Sequence, residues 1–404
     1  MSRRQAAFSQ PPKVASHDTH LVGNNWRDPR ANFPKIFQKR DSQRVDRMDC
    51  GKVVAVMPAH NESRRIGAAI SSLKSQTVKP ADMVVVLDQC TDDTKGVAEA
   101  HGCEVFTTFE NRDKKAGALN QILRVLIPQL AADDKVLILD ADSVLAPTWV
   151  EAALRVINID ASIGAVGGVF YGEGSPGLIC QLQRNEYFRY ARDIARRHRG
   201  AWVLTGTSTL FRVSVLRQIY AERNRSLPGI RGDFYNRSSL TEDMEITLAC
   251  LKLGYRCVSP KMCVTTTELM PTWRDLWRQR LRWQRGALEN LRLYGINKVT
   301  IAYFIQQAWT VACFLVILGY PTLLIASLTT SQPIVVHPIW ICVGLLFFAE
   351  RIATVRRAGR KGILLTISIL PEFCYDLFRV AVYCTGWVDI LFKREARWHH
   401  SRGR

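Results

Sequence analysis

The sequence has no Cys-x-x-Cys pair and no Cys/His cluster, although it holds 11 cysteines. An odd and scattered set argues against a disulfide framework and a structural zinc site, so the thiols are read as reduced and mostly buried. The first 50 residues lack any apolar run that could serve as a signal peptide or anchor, which predicts that the front of the chain stays in the cytosol. Long apolar runs are missing up to about Leu293 and abundant after Ile301. The chain therefore reads as a soluble front and a lipid-facing rear. Acidic residues are also short, 36 against 55 Lys and Arg, for a formal net charge of +19. That excess suggests an anionic partner: nucleic acid, lipid headgroups or a phosphate-bearing substrate. No face interleaves aromatics with lysines as base stacking needs, which argues against nucleic acid. Much of the charge instead flanks the apolar segments, in Arg278, Arg280, Arg282 and Arg285 and in Arg356, Arg357, Arg360 and Lys361, as at a cytoplasmic membrane surface.

The 404 residues allow one large domain with an appendage. Residues 1–50 are basic and aperiodic and read as a poorly structured tail. From Lys52, short β-rich runs alternate with helical stretches: strand 53–57, helix 61–76, strand 83–87, helix 92–101, strand 104–107, helix 115–130 and strand 135–139. This is an α/β, doubly wound, mostly parallel sheet with helices on both faces, predicted to fill 51–270. Asn61 and Glu62 are expected to accept from the first amides of their helix. Residues 271–298 form an amphipathic helix, with Trp273, Trp277, Leu281 and Leu288 on one stripe and arginines elsewhere, as in a helix lying among headgroups. Residues 299–404 form a membrane region of two or three transmembrane segments with a basic tail. The stretch 301–328 exceeds the length of about 20 residues that a bilayer needs, and 334–349 is a shorter returning span. Segment 363–391 is interrupted by Glu372, Asp376, Arg379 and Asp389, and charge at bilayer depth is costly. The basic flanks on either side require an even number of crossings, so a bent or re-entrant interfacial segment is expected, with a third span as the alternative.

Ligands bind doubly wound sheets at the carboxyl ends of strands, near the switch point. Asp88 follows the second strand, and Asp140 and Asp142 follow the fourth. Two carboxylates two positions apart reach one edge and suit Mg²⁺ or Mn²⁺, which keep positions free for diphosphate oxygens. Alone, Asp-Ala-Asp is better explained by a solvated strand-end turn. Thr241-Glu242-Asp243 opens a helix; simple N-capping explains Thr241 and one acid, while the chemical reading is a general base. Gln279-x-x-Arg282-Trp283 offers phosphate donors and an indole for sugar stacking, or simply interfacial arginine and tryptophan. Lys115-Ala116-Gly117-Ala118-Leu119-Asn120 starts a helix with a lysine and a small residue that suits close approach to phosphate. Residues 227–239, rich in Arg, Gly and Asn, read either as a mobile lid or as an ordinary surface loop.

Taken in order with Pro58-Ala59-His60-Asn61-Glu62, these motifs resemble glycosyltransferase family 2, and more narrowly its membrane-bound branch of cellulose, chitin and hyaluronan synthases. The resemblance covers roughly residues 52–294. It implies a GT-A fold and an inverting transfer from a nucleotide sugar, usually UDP-linked, with Mg²⁺ or Mn²⁺ as cofactor. By that resemblance Pro58, Ala59, Asn61, Glu62, Asp88, Lys115, Asp140, Gln279 and Arg282 would bind the donor. Asp140 and Asp142 would hold the metal, Asp243 with Glu242 would carry catalysis, and Gly206, Thr207 and Trp283 would meet the acceptor. Gln89 stands where the family commonly has an acid. Polymer-exporting members generally have more transmembrane helices, some before the catalytic domain, which favours transfer of one or a few sugars to a lipid, protein or glycan acceptor. Processive polysaccharide synthesis is the second expectation, a non-catalytic membrane scaffold the third, and an oligomer is compatible with each. The protein is thus expected to be a multi-pass membrane protein with a cytoplasmic catalytic domain and no nucleic-acid partner.

Overall fold

The computed structural model describes residues 51–196, 200–330 and 338–394. The expected tail at 1–50, the start of the second expected span and the end of the basic tail lie outside the described residues.

Three Rossmann-like units open the domain: β1 (Val53–Ala59), α1 (Ile66–Lys74), β2 (Asp82–Leu87), α2 (Thr94–Ala100), β3 (Glu104–Thr107), α3 (Lys114–Leu126) and β4 (Lys135–Leu139). All seven expected elements are present. β1 shows why they form: Val54 and Val56 pack on one face of the sheet, Val53, Ala55 and Met57 on the other, and all are buried. A strand covered on both faces needs this unbroken apolar run. β4 repeats the pattern, with Val136 and Ile138 on the first face and Leu137 and Leu139 on the second.

The chain continues through β5 (Val144–Leu145), α4 (Trp149–Ile159), β6 (Ile163–Gly167), β7 (Val169–Gly172), α5 (Leu178–Arg196), β8 (Ser208–Arg212), α6 (Val213–Glu222), α7 (Glu242–Lys252), β9 (Arg256–Val258) and β10 (Val264–Thr267). The main sheet runs β3-β2-β1-β4-β8-β6-β9, and β5-β10-β7 form a small second sheet. β1 pairs in parallel with both β2 and β4, while β8 is antiparallel to β4 and β6. The order reverses between β1 and β4, so the carboxyl ends of those strands frame the crevice where such sheets bind ligands.

Helix α1 starts at Ile66, later than expected, and its N-cap residue Arg65 has no side-chain capping bond. The Asn61 carboxamide instead accepts from the Thr91 and Asp92 amides of the neighbouring strand-end loop, and Asn61 has φ 58°. A left-handed non-glycine residue is held only by such constraints. The capping role expected for Asn61 is therefore replaced by a cross-loop tether. Residues 227–239 are anchored to α3 at Phe234 and Tyr235. Asn120 accepts from the Phe234 and Tyr235 amides and donates to the Tyr235 carbonyl, and both rings are buried. Every cysteine among the described residues is free, and Cys103, Cys180, Cys250, Cys257 and Cys263 are buried.

The rear comprises α8 (Trp273–Tyr294), α9 (Ile301–Thr329), α10 (Pro338–Val355), α11 (Gly359–Ile367) and α12 (Leu370–Leu391). On helix α8, Trp273 and Trp277 touch Phe378 of α12, Trp273 remaining 41% exposed, while Arg280 is buried against Glu186 of α5. Among the described residues no helix is long and apolar enough to cross a membrane. The two expected spans thus correspond to α9 and α10, which expose Ile305, Trp309, Leu315, Leu345 and Phe347. The segment 363–391 is broken at Ile369, with φ 57°. Its charges are satisfied within the protein: Glu372 pairs with Arg189 and Arg351, Asp376 with Arg351, and Asp389 with Arg394.

Candidate active site

The acids at the strand ends converge because the strands are adjacent. The Asp140 amide donates to the Thr207 carbonyl at 3.0 Å, which sets the strand-end acids beside the turn that enters β8. Lys115 at the start of α3 reaches across, with Nζ 2.5 Å from Asp140 Oδ1, 3.1 Å from Glu242 Oε1 and 3.3 Å from the Gly206 carbonyl oxygen. It therefore ties strand β4 to helix α7. Gly206 is glycine for a spatial reason: a Cβ there would sit 3.3 Å from Asp243 Oδ2 and 3.5 Å from Lys115 Nζ. The floor between lysine and acid stays open.

Helix α7 is not capped by Thr241. Its hydroxyl and carbonyl accept from Asn290 of α8, at 3.0 and 3.2 Å, and a Cβ on Gly286 would come within 2.6 Å of that hydroxyl. So the reading of Thr241 as a simple cap fails, and the helix bearing Gln279, Arg282 and Trp283 is clamped onto the start of the helix bearing Glu242 and Asp243. One turn further, the fully buried pair Arg223–Glu245 at 2.5 Å, joined by the Tyr294 hydroxyl at 2.6 Å, fixes α7 from behind.

A cavity of about 620 Å³ opens in front of these groups. Asp140, Asp142, Lys115, Gly206, Thr207, Glu242, Asp243, Gln279, Arg282 and Trp283 all line it, so ten of the candidate donor, metal, catalytic and acceptor residues meet there. Pro58, Ala59, Asn61, Glu62 and Asp88 do not line it. Pro58 and Ala59 end β1 in register with Val86 and Leu87, which makes them part of the sheet. Asp88 is nearly buried and accepts from Thr108 at 2.9 Å and Asn111 at 2.8 Å. A Cβ on Gly117 would collide with Asn111 Oδ1 at 2.0 Å. The small residue of the lysine motif thus accommodates Asn111, and through it Asp88, rather than a phosphate.

Electrostatics divide the acids. Burial and the neighbouring Glu242 push Asp243 up to about 6, with Lys115 opposing. Burial raises Glu242 less than the Lys115 and Arg282 charges lower it, so it lies below the usual carboxylate range. The pair is thereby split into one firmly ionised acid and one that titrates near neutrality, as acid–base sites require. Burial raises Asp140 to about 6 despite Lys115. Burial with Asp142 and Glu268 nearby drives Glu62 to about 8.

No group of three or more His, Cys, Asp or Glu side chains is arranged to hold a metal among the described residues. Asp142 accepts from the Ser143 hydroxyl at 2.9 Å and has no ion-pair partner among the described residues. Its own titration is raised by burial. An unpaired carboxylate facing the cavity beside Asp140 fits a divalent ion that completes its shell with substrate phosphates, as Mg²⁺ usually does.

Sequence reasoning did not single out Glu186, Tyr187, Glu268, Gln306, Gln307 or Tyr383, which also line the cavity. They carry no local motif, and only the packing of α5, α9 and α12 against the end of β10 brings them together.

The doubly wound sheet, with Asp140 and Asp142 at a strand end and Glu242 and Asp243 on a helix across one cleft, has the arrangement that the resemblance to GT-A glycosyltransferases implied. The chain belongs to the family described as glycosyltransferase like family 2, whose sequence profile matches residues 51–286. It is similar to the poly-β-1,6-N-acetyl-D-glucosamine synthase of Staphylococcus aureus, 22% identical over 261 residues, which are 63% of this chain and 58% of that protein. It is also similar to an uncharacterised glycosyltransferase of Escherichia coli, 24% identical over 65% of this chain and 62% of that one. The chain thus spans less than two thirds of these relatives' length. A mannosyltransferase from Pyrobaculum calidifontis, solved with GDP-Man and Mn²⁺, shares the fold with a TM-score of 0.51 at 16% identity, over 85% of this chain and 88% of that one. The chain is a member of glycosyltransferase family 2 with the GT-A fold.

Proposed function

We propose that the protein transfers a sugar from a nucleoside diphosphate donor, UDP being the expected carrier, to an acceptor hydroxyl by one inverting displacement. The observation that carries this reading is the single cavity shared by Asp140, Asp142 and Asp243. The donor side and a carboxylate that titrates near neutrality thus face one space.

Asp243 takes the proton from the acceptor hydroxyl as that oxygen attacks the anomeric carbon, and the bond to the diphosphate breaks on the opposite face. Lys115 holds Asp140 and Glu242 in fixed register. Gln279 and Arg282 serve the diphosphate side, Trp283 and the open floor at Gly206 and Thr207 the acceptor side. Asp140 and Asp142 would hold Mg²⁺ or Mn²⁺, which supplies charge neutralisation for the leaving diphosphate. Asp88, Asn61 and Glu62 serve the nucleotide at the adjacent sheet edge. Exposed apolar faces of α9 and α10 with neighbouring Arg356, Arg357 and Arg360 support attachment to the cytoplasmic membrane face. Processive synthesis is the second reading, favoured by the cavity's continuation past Trp283 to α9 and α12 and by the name of the staphylococcal relative.

The test is a screen of nucleotide sugars with purified protein in detergent, with Mg²⁺ or Mn²⁺ and with chelator. Nucleoside diphosphate release from one donor, lost with chelator and in Asp142→Asn, supports the reading. No release from any donor refutes it.

A further inference from the structure

Three helices meet beside Trp283. Leu182 of α5, Leu276 of α8 and Tyr375 of α12 form one buried apolar cluster. One turn further along α5 and α8 stand Glu186 and Arg280, on the same helix faces as Leu182 and Leu276. They join the two helices: Arg280 Nη2 donates to Glu186 Oε2 at 2.8 Å, and the Tyr375 hydroxyl donates to the same oxygen at 2.6 Å. Arg379 Nε stands 3.7 Å from Glu186 Oε1. Burial raises Glu186 less than the Arg280 and Arg379 charges lower it, so it lies below the usual carboxylate range and is ionised at neutral pH.

An ion pair with one partner only 8% exposed is a poor device for merely holding helices together. Taking two charges out of water costs desolvation energy that their attraction only partly offsets, and apolar residues of similar size often serve stability as well or better. What apolar residues could not do is hold a planar cation in one place. The Arg280 guanidinium lies 4.3 Å over the Trp283 ring and 5.5 Å over the Tyr187 ring. A cation is attracted to the face of an indole, more strongly where water is excluded. Arg280 is therefore gripped by Glu186 and set against Trp283, three residues on along the same face of α8. An indole has two faces. With the guanidinium on one, a ligand in the cavity that Trp283 lines can stack only on the other.

We propose that Glu186 is a positioning residue for transfer: by gripping Arg280 it fixes the plane of the Trp283 indole, and with it the face offered to the acceptor. Glu186 takes no part in the chemistry itself. The proposal rests on the transferase reading above and assigns the support of its acceptor side.

The experiment uses the full chain in detergent, labelled with 5-fluorotryptophan, and Trp283→Phe identifies the Trp283 fluorine signal among those of the ten tryptophans. Glu186→Gln removes the charge and keeps the shape. It is expected to shift or broaden the Trp283 signal while most other signals stay in place. Nucleoside diphosphate release from the donor found by the screen, with a β-linked N-acetylglucosamine trisaccharide present, is expected to fall about tenfold in kcat with donor KM within about twofold. Because Glu186 acts through the ring, the double variant Glu186→Gln, Trp283→Ala should be no slower than Trp283→Ala alone. Arg280→Lys keeps the charge and loses the flat guanidinium, so it should behave as Glu186→Gln does. Tyr375→Phe removes one bond to the carboxylate and leaves the Arg280–Glu186 pair in place, so it should stay within about twofold of wild type in kcat. An unmoved Trp283 signal, all signals moving together, an unchanged kcat, losses that add in the double variant, or a loss as large in Tyr375→Phe would each overturn the proposal. Failure of the transferase reading is separate: the wild type would release no nucleoside diphosphate, while the fluorine signal would still report the ring.

Discussion

Changing Asp243 to Asn keeps the size and the backbone contacts of the side chain and removes the base. A positioned general base contributes about 10²–10⁴-fold, or about 3–5 kcal/mol of barrier at 1.36 kcal/mol per tenfold. The variant is therefore expected to retain about 1% of wild-type kcat/KM or less, with donor affinity close to wild type. The pH dependence adds a sharper test. Asp243 must be ionised to act, and burial beside Glu242 lifts it to about 6. Wild-type kcat/KM should then fall as pH drops through about 6, well above the ordinary carboxylate range, and the variant should lack that limb. The stability sign runs the other way from a paired carboxylate. A raised native pKa means that the fold favours the protonated form, so ionisation above pH 6 costs stability. Asp243→Asn should thus unfold at the same or a higher temperature than wild type at pH 7. Nucleoside diphosphate release between pH 4.5 and 8, with melting curves on the same samples, reads all three quantities. A variant retaining a tenth of wild-type turnover, or a wild type flat down to pH 4.5, would refute the assignment.

Lys115→Met removes the cation between Asp140 and Glu242, so the acid limb set by Asp243 should move to higher pH, because losing a positive neighbour raises carboxylate pKa values; pH profiles of kcat/KM check this. Asp142→Asn should weaken nucleotide binding in Mn²⁺ and leave the much weaker binding in chelator unchanged, as calorimetry would read. Arg223→Met leaves Glu245 buried and unpaired and should cost about 3–5 kcal/mol in urea unfolding, with much recovered in the double variant Arg223→Met, Glu245→Met. Recovery of less than a third would mean that the pair matters through its other bonds, to the Pro228 and Phe234 carbonyls.

The opening α/β pattern was legible because its information is local. Strands buried on both faces are apolar throughout, and Val53–Ala59 and Lys135–Leu139 announce themselves without tertiary knowledge. Strand ends then locate Asp88, Asp140 and Asp142, since a parallel sheet puts its ligand edge there. Long-range partners were not legible. Thr241 looked like a cap, yet its hydroxyl belongs to Asn290, 49 residues away. Arg280 of α8 looked interfacial because amphipathicity does not say whether lipid or protein covers a face, and here Glu186 of α5 covers it.

By itself, the sequence determined the sheet, its ligand edge and the chemical types of the acids, because alternation and strand ends are set by neighbours along the chain. Only the tertiary structure decided that Lys115 bridges two acids, that Asp243 rather than Glu242 titrates near neutrality, and that Gln306 and Gln307 face the cavity. These depend on distances of a few ångströms between segments far apart in the chain, Lys115 and Glu242 among them, and charge coupling falls with distance in space, not in sequence.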